Sequence, residues 1–181
     1  MQTCRGRVHR RPALHIRTFH SDRHEWVPVR VAGVHPYPHV YSVTGYATAS
    51  GNVQTTVDGL APLPVAPPIQ FDGPGNAWSP ETLLTAAVAN CLILTFRAIS
   101  RASKLDWQQL DCRTQGVLER VGGVSRFTHF ITHAVLTLPV TVNLELARRL
   151  LERSEHGCLI ANSLNATREL KIELQTASAV A

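Results

Sequence analysis

The stretch from Ser79 to Ser103 constrains the fold most, because a strong helix start leads into an apolar run. Ser79 is a typical N-cap, Pro80 suits the first helical position, and the carboxylate of Glu81 faces the positive end of the helix dipole. Apolar or small residues then nearly surround the axis: Leu83, Leu84, Ala86, Ala87, Val88, Ala89, Cys91, Leu92, Ile93, Leu94 and Phe96. The pattern predicts a helix of about 35 Å that is buried centrally or lies in an oligomer interface.

The rest of the chain alternates strand and helix patterns around this helix. A hairpin is predicted over residues 35–59 around the turn Ser50-Gly51-Asn52, followed by a proline-rich loop over residues 60–79. Later elements are two alternating strands around Gly122-Gly123, a helix that ends at Gly157, and a last strand over residues 167–175. The order β-β-α-β-β-α-β predicts an α+β fold built on antiparallel hairpins.

Length and charge predict one folded domain with a basic extension. The net charge of +5 arises within residues 1–30, which contain seven arginines and two acidic residues. We expect residues 1–34 to be a disordered extension and residues 35–181 the domain. The extension lacks apolar patterning, so nucleic-acid binding is disfavoured, and the histidine spacing predicts no metal site. No apolar run has the length of a membrane span or the pattern of a secretory signal, so the expected location is cytoplasmic.

Two of the four cysteines raise the question of thiol chemistry. Cys4 falls in the extension, and Cys112 alternates in phase with Leu110 and Leu118, which is typical of a core position. Cys91 on the central helix and Cys158 after Gly157 fit either a buried pair or a two-cysteine redox site. In a cytosolic protein a bridge between them would be transient and catalytic.

The segments SPETLLTAAVANCLILTF and HGCLIANSLNATRELKIEL resemble the OsmC/Ohr family of thiol-dependent peroxidases. The shared pattern is a proline-glutamate opening of the central helix, a cysteine ten residues after the glutamate, and a second cysteine in a C-x-I-x-N/S segment before the last strand. The resemblance covers residues 35–181. It implies an intertwined homodimer in which long central helices pack against antiparallel sheets, with an active site at each end of the interface and no cofactor.

The resemblance also implies roles for individual residues. Cys91 would attack an organic hydroperoxide and become a sulfenic acid, and Cys158 would resolve it to a disulfide. A dihydrolipoyl group or a small dithiol would reopen the bridge. Glu81 would hold an arginine that lowers the thiol pKa. The apolar wall of the substrate pocket would comprise Leu84, Leu92, Phe96, Trp78 and Phe71.

The sequence departs from the family pattern at the arginine. The corresponding hairpin turn reads ATASGNVQTT and contains no arginine. Glu81 also favours the helix dipole without any catalytic role. On a continuous helix it lies about 15 Å along the axis from Cys91 and would act through a bridging group or across a dimer. An alternative therefore stays open: a dimer of this fold that binds a hydrophobic ligand, or carries out other thiol chemistry, without efficient peroxide turnover.

Overall fold

The computed structural model describes residues 35–177, so the predicted extension over residues 1–34 lies outside the described part. Among the described residues, the chain divides into two units between Tyr41 and Ser42. In the described part of the first unit, the ring of Tyr37 stacks on that of His39 at a centroid distance of 4.5 Å. All helices and strands described below belong to the second unit.

Three short antiparallel strands form the first sheet. They are β1 (Thr44–Tyr46), β2 (Val53–Thr56) and β3 (Leu63–Val65), in the order β1-β2-β3. The predicted hairpin is confirmed, but the prediction of an unstructured loop over residues 60–79 is wrong, since it contains β3 and a 3-10 helix at Ile69–Phe71. Pro64 is tolerated in β3 because this strand lies at the edge of the sheet.

The central helix α1 spans Pro80–Ala102, as the sequence predicts. A capping box fixes its start: the Thr82 N–H donates to Ser79 Oγ at 3.1 Å, and the Ser79 N–H donates to Thr82 Oγ1 at 2.8 Å. Within one chain α1 is not buried on all sides, so of the two predicted alternatives central burial is wrong and an oligomer interface stays a prediction. The fully buried side chains form a single stripe along it: Val88, Leu92, Phe96 and Ser100.

The opposite side of α1 is partly open, and Leu94 is 58% exposed. Among residues 35–177, α1 is the one helix whose length and composition would allow it to cross a bilayer, and the core helix of a soluble protein meets the same test. Packing within one chain therefore covers only part of the apolar surface of α1.

The second sheet is mixed. Strands β4 (Gln109–Val121) and β5 (Val124–Pro139) form the predicted antiparallel hairpin, closed by Gly122 and Gly123 with φ of +58° and +83°. Strand β6 (Thr167–Ala177) instead pairs parallel with β5, which corrects the expectation of purely antiparallel sheets. Helices α2 (Leu144–His156) and α3 (Leu159–Asn162) lie between β5 and β6 in the chain and provide the crossover that parallel pairing requires.

Two apolar clusters lie around α1. The larger includes Leu92 and Phe96 of α1, Leu150 and Leu151 of α2, and residues of β4 and β5. The smaller consists of Val88, Phe130, Cys158 and Ala161, with Leu84 and Cys91 packed against it. Both predicted redox cysteines thus lie at the smaller cluster.

Candidate active site

The structure brings Cys91 and Cys158 into contact, although they are far apart in the sequence. Cys91 lies midway along α1 and is partly buried, while Cys158 is the N-cap residue of α3 and is 1% exposed. The two thiols influence each other: Cys158 is one of the causes that lower the pKa of Cys91, and Cys91 is one of the causes that raise the pKa of Cys158. Both are free, as is Cys112, the third cysteine of residues 35–177. The fold therefore places the two cysteines together, as a two-cysteine redox site requires.

The end of α2 positions Cys158 beside α1. Gly157 is the predicted C-cap, and its N–H donates to the carbonyl of Arg153 at 3.0 Å. A Cβ at Gly157 would lie 3.4 Å from Cγ2 of Thr95 on α1. This is an ordinary van der Waals distance, so the end of α2 lies directly beside α1. The N–H of Cys158 continues the turn by donating to the carbonyl of Glu155 at 3.1 Å.

The surroundings of Cys91 favour its thiolate. Burial raises its pKa, but hydrogen bonds outweigh burial and hold the pKa below its ordinary value. The donors are the backbone N–H of Ile160, the thiol of Cys158, the hydroxyl of Thr95 and the backbone N–H of Leu159. Hydrogen bonds to the charged form of a group stabilise that form. The short helix α3, which follows Cys158, thus supplies two of the four donors.

Cys158 has the opposite character. Burial, and to a smaller extent the neighbouring Cys91, raise its pKa to about 11 against the lowering effect of backbone hydrogen bonds at Ala161 and Ile160. At neutral pH, Cys158 is therefore protonated and can donate to Cys91. The surroundings thus lower the pKa of one thiol and raise the pKa of the other.

The structure does not bring Glu81 to the thiol pair within one chain. Because α1 is continuous from Pro80, the two residues are separated by about 15 Å along the axis. Glu81 lines a separate open cleft of about 770 Å³, whose lining includes neither Cys91 nor Cys158. Its buried Oε2 atom has no hydrogen-bond partner among the described residues.

Cys112, expected to be a core residue, is partly buried. It packs against the larger apolar cluster and also lines the cleft beside Glu81. Burial, and to a smaller extent the charge of Asp111, raise its pKa to about 11. Its thiol is therefore protonated at neutral pH.

The five predicted pocket residues lie in different places. Leu84 packs in the smaller cluster with the thiols, and Leu92 lines a cavity of about 20 Å³ together with Cys158. Phe96 is fully buried and packs edge-on against Trp107. Phe71 lines the cleft and is 54% exposed, and Trp78 is 49% exposed. Within one chain, two of the five therefore lie near the thiol pair, whereas Phe96, Trp78 and Phe71 lie elsewhere.

Sequence reasoning missed several residues that contact this site. Thr95 could have been found, because it lies one helical turn after Cys91. The backbone N–H groups of Leu159 and Ile160 carry no side-chain signal, and nothing in the sequence predicts the start of α3 at that point. Arg168 and Glu155, which line the small cavity with Cys158, come together only through the parallel pairing of β6.

The fold and the site define an α+β protein with an asymmetric pair of free cysteines between its central helix and a short helix turn. The chain belongs to the OsmC-like protein family, whose model matches residues 73–174. The resemblance inferred from the two cysteine segments is thereby confirmed.

Individual relatives agree with this assignment. The chain is 25% identical over 138 residues to the uncharacterized protein YmaD of Bacillus subtilis (strain 168), covering 75% of this chain and 92% of that protein. It superposes on an organic hydroperoxide resistance protein OsmC from Legionella pneumophila with a TM-score of 0.60 and 22% identity, over 76% and 99% of the two chains. An organic hydroperoxide resistance protein from Elizabethkingia anophelis gives a TM-score of 0.61 and 19% identity, over 78% and 100%. These structures share the fold of this chain.

Proposed function

We propose that the protein is a thiol-dependent peroxidase that reduces organic hydroperoxides through Cys91 and Cys158. The observation that carries the proposal is the asymmetry of the pair: donors lower the pKa of Cys91, while Cys158 beside it has a pKa of about 11. A thiolate is the nucleophile in peroxide reduction, and a protonated neighbour is suited to the second step. Similarity to proteins named for organic hydroperoxide resistance supports the same reaction class.

In the proposed reaction, the Cys91 thiolate attacks the distal oxygen of the hydroperoxide. A sulfur–oxygen bond forms as the oxygen–oxygen bond breaks, and the alkoxide takes a proton from water and leaves as an alcohol. Cys158 then loses its proton and attacks the sulfenic sulfur, so that a disulfide forms and hydroxide leaves as water. An external dithiol, either a dihydrolipoyl group or a small dithiol, supplies two electrons and becomes a disulfide itself.

We further propose that the protein acts as a cytoplasmic homodimer on substrates with an apolar tail. The open apolar side of α1, with Leu94 58% exposed, supports a partner chain there. The unpartnered Oε2 of Glu81 supports a group from that partner in the cleft. Leu159 and Ile160, which are 69% and 36% exposed, offer apolar contact next to the thiols.

Mass spectrometry of the reduced protein after one equivalent of cumene hydroperoxide tests the proposal. We expect rapid formation of the Cys91–Cys158 disulfide, and a sulfenate trapped on Cys91 in Cys158→Ser. Cys112→Ser is the matched control and should oxidise as the unmodified protein does. Thiols that remain reduced over minutes would contradict peroxidase activity while leaving the fold assignment intact.

A second candidate is a protein of this fold that binds a hydrophobic ligand or carries out other thiol chemistry. The cleft of about 770 Å³ favours it, because neither redox cysteine lines that cleft. The absence of an arginine from the turn between β1 and β2 favours it as well. Binding of a fluorescent fatty acid that is displaced by apolar competitors, with the thiols unreacted toward hydroperoxide, would support this candidate.

A further inference from the structure

Helix α3 packs against α1 next to Cys91. The N–H groups of Leu159 and Ile160, at the beginning of this helix, both donate to Cys91. The helix has only four residues, Leu159–Asn162. So short a helix does not hold its own geometry, because helix nucleation is unfavourable. Contacts from outside α3 must therefore fix it against α1.

Asn162, the last residue of α3, makes two such contacts. Its Nδ2 atom donates to the carbonyl of His156, the last residue of α2, at 2.9 Å. Its Oδ1 atom accepts from Nη1 of Arg168 on β6 at 2.8 Å. A single side-chain amide thus joins the end of α2, the end of α3 and the second sheet.

Arg168 extends the connection back to α2. Its Nε atom lies 3.3 Å from Oε1 of Glu155, and the two side chains are 29% and 20% exposed. The planar guanidinium can hold Asn162 and Glu155 at once because its donors are arranged as a rigid fork. This partly shielded pair is better placed to restrict motion than a fully exposed ion pair.

Two of these residues, Arg168 and Glu155, also lie beside Cys158. Arg168 and Glu155 line the cavity of about 20 Å³ that Cys158 also lines, together with the charged Glu169. The remaining wall is mainly apolar and includes Val88, Leu92 and Phe130. Glu155, Glu169 and Arg168 thus all line this small cavity. The Oε2 atom of Glu155 also lies 3.6 Å from Nδ1 of His156.

We propose that Asn162, Arg168 and Glu155 are positioning residues that hold α3 and Cys158 against Cys91. This inference rests on the proposed function of the thiol pair. In this role, Arg168 acts through the geometry of α3 and not by contact with the peroxide. The connection holds the two N–H donors at Cys91 in a protein whose hairpin turn lacks the family arginine.

The test is the pH dependence of Cys91 alkylation by iodoacetamide, read peptide by peptide with mass spectrometry in the full-length protein. We expect Arg168→Ala and Asn162→Ala each to slow alkylation of Cys91 about tenfold at pH values below its pKa, which corresponds to a rise of about one pKa unit. Arg168→Lys keeps the charge but loses the fork, so its effect should be intermediate. The double Ala variant should show less than the sum of the two single effects, because both single variants remove the hydrogen bond between Arg168 and Asn162.

Arg120→Ala is the matched control, since it removes an arginine from an exposed position on β4. It should leave the Cys91 profile unchanged. Circular dichroism verifies folding, and Arg168→Gln, which keeps a donor without the charge, replaces the Ala variant should that variant unfold. Folded Arg168 and Asn162 variants with an unchanged Cys91 profile would overturn the inference.

Alkylation requires no peroxide, so this test separates the inference from the proposed function. A protein that fails to reduce hydroperoxide can still show the tenfold change in alkylation, which would leave the positioning role standing. Rapid disulfide formation combined with an unchanged alkylation profile would remove the positioning role and retain the peroxidase.

Discussion

Replacing Cys158 with alanine tests whether the two thiols are coupled as the structure indicates. The thiol of Cys158 is one of four donors that lower the pKa of Cys91. A hydrogen bond to a charged group contributes about 1.5–3 kcal/mol, and the lower end applies because Cys91 is only partly buried. Since one pKa unit corresponds to about 1.4 kcal/mol, Cys158→Ala should raise the Cys91 pKa by about one unit.

The assay is again peptide-resolved alkylation between pH 5 and pH 10. Cys158→Ser keeps a hydroxyl donor and suits the N-cap position, so its shift should be smaller than that of Cys158→Ala. Cys112→Ala, which removes a thiol away from the pair, should leave the Cys91 profile unchanged. The reasoning would be refuted by an unshifted Cys91 in folded Cys158→Ala, or by Cys158 reacting before Cys91 in the unmodified protein.

Three further predictions concern stability. Phe96→Ala should lower the free energy of unfolding by about 3–5 kcal/mol, because the ring is fully buried. Urea denaturation measures this loss, and a loss under about 1 kcal/mol would contradict the observed packing of Phe96. Ser79→Ala should cost about 1 kcal/mol through loss of the capping box, with Ser79→Asp as the control that keeps an acceptor. In the folded protein, Cys112 and Cys158 each have a pKa of about 11, whereas the ordinary value is 9.0. Both thiols therefore bind their protons more tightly in the folded state than in the unfolded state. The free energy of unfolding should consequently fall as the pH rises from 9 to 11. Cys112→Ala should reduce that fall, and an identical pH profile would count against the buried thiol.

The local elements could be predicted because their signals are local. The helix start at Ser79-Pro80-Glu81, the turn at Gly122-Gly123 and the C-cap at Gly157 all appear where expected. Capping groups and positive φ angles act over a few residues, so a single sequence carries them. The two cysteine segments also sufficed to predict the family.

Long-range pairing could not be predicted in the same way. Strand β3 forms despite Pro64 because β2 offers it an edge, and β6 runs parallel to β5 because α2 and α3 carry the chain back across the sheet. Neither outcome follows from alternation of apolar residues, which is the same for both strand directions. Burial of α1 likewise depends on what packs against it, so the apolar run did not reveal which side stays open.

The same distinction between local and long-range information applies to the chemistry of the site. The sequence by itself determined the two cysteines, the helix that carries Cys91 and the protein family, since these depend on residue identity and local spacing. Only the tertiary structure decided that Cys91 receives the N–H groups of α3 and that Cys158 is buried against Arg168 and Glu155. The physical reason is that a thiol pKa depends on donors and burial within a few ångströms, and here these come from elements distant in the chain.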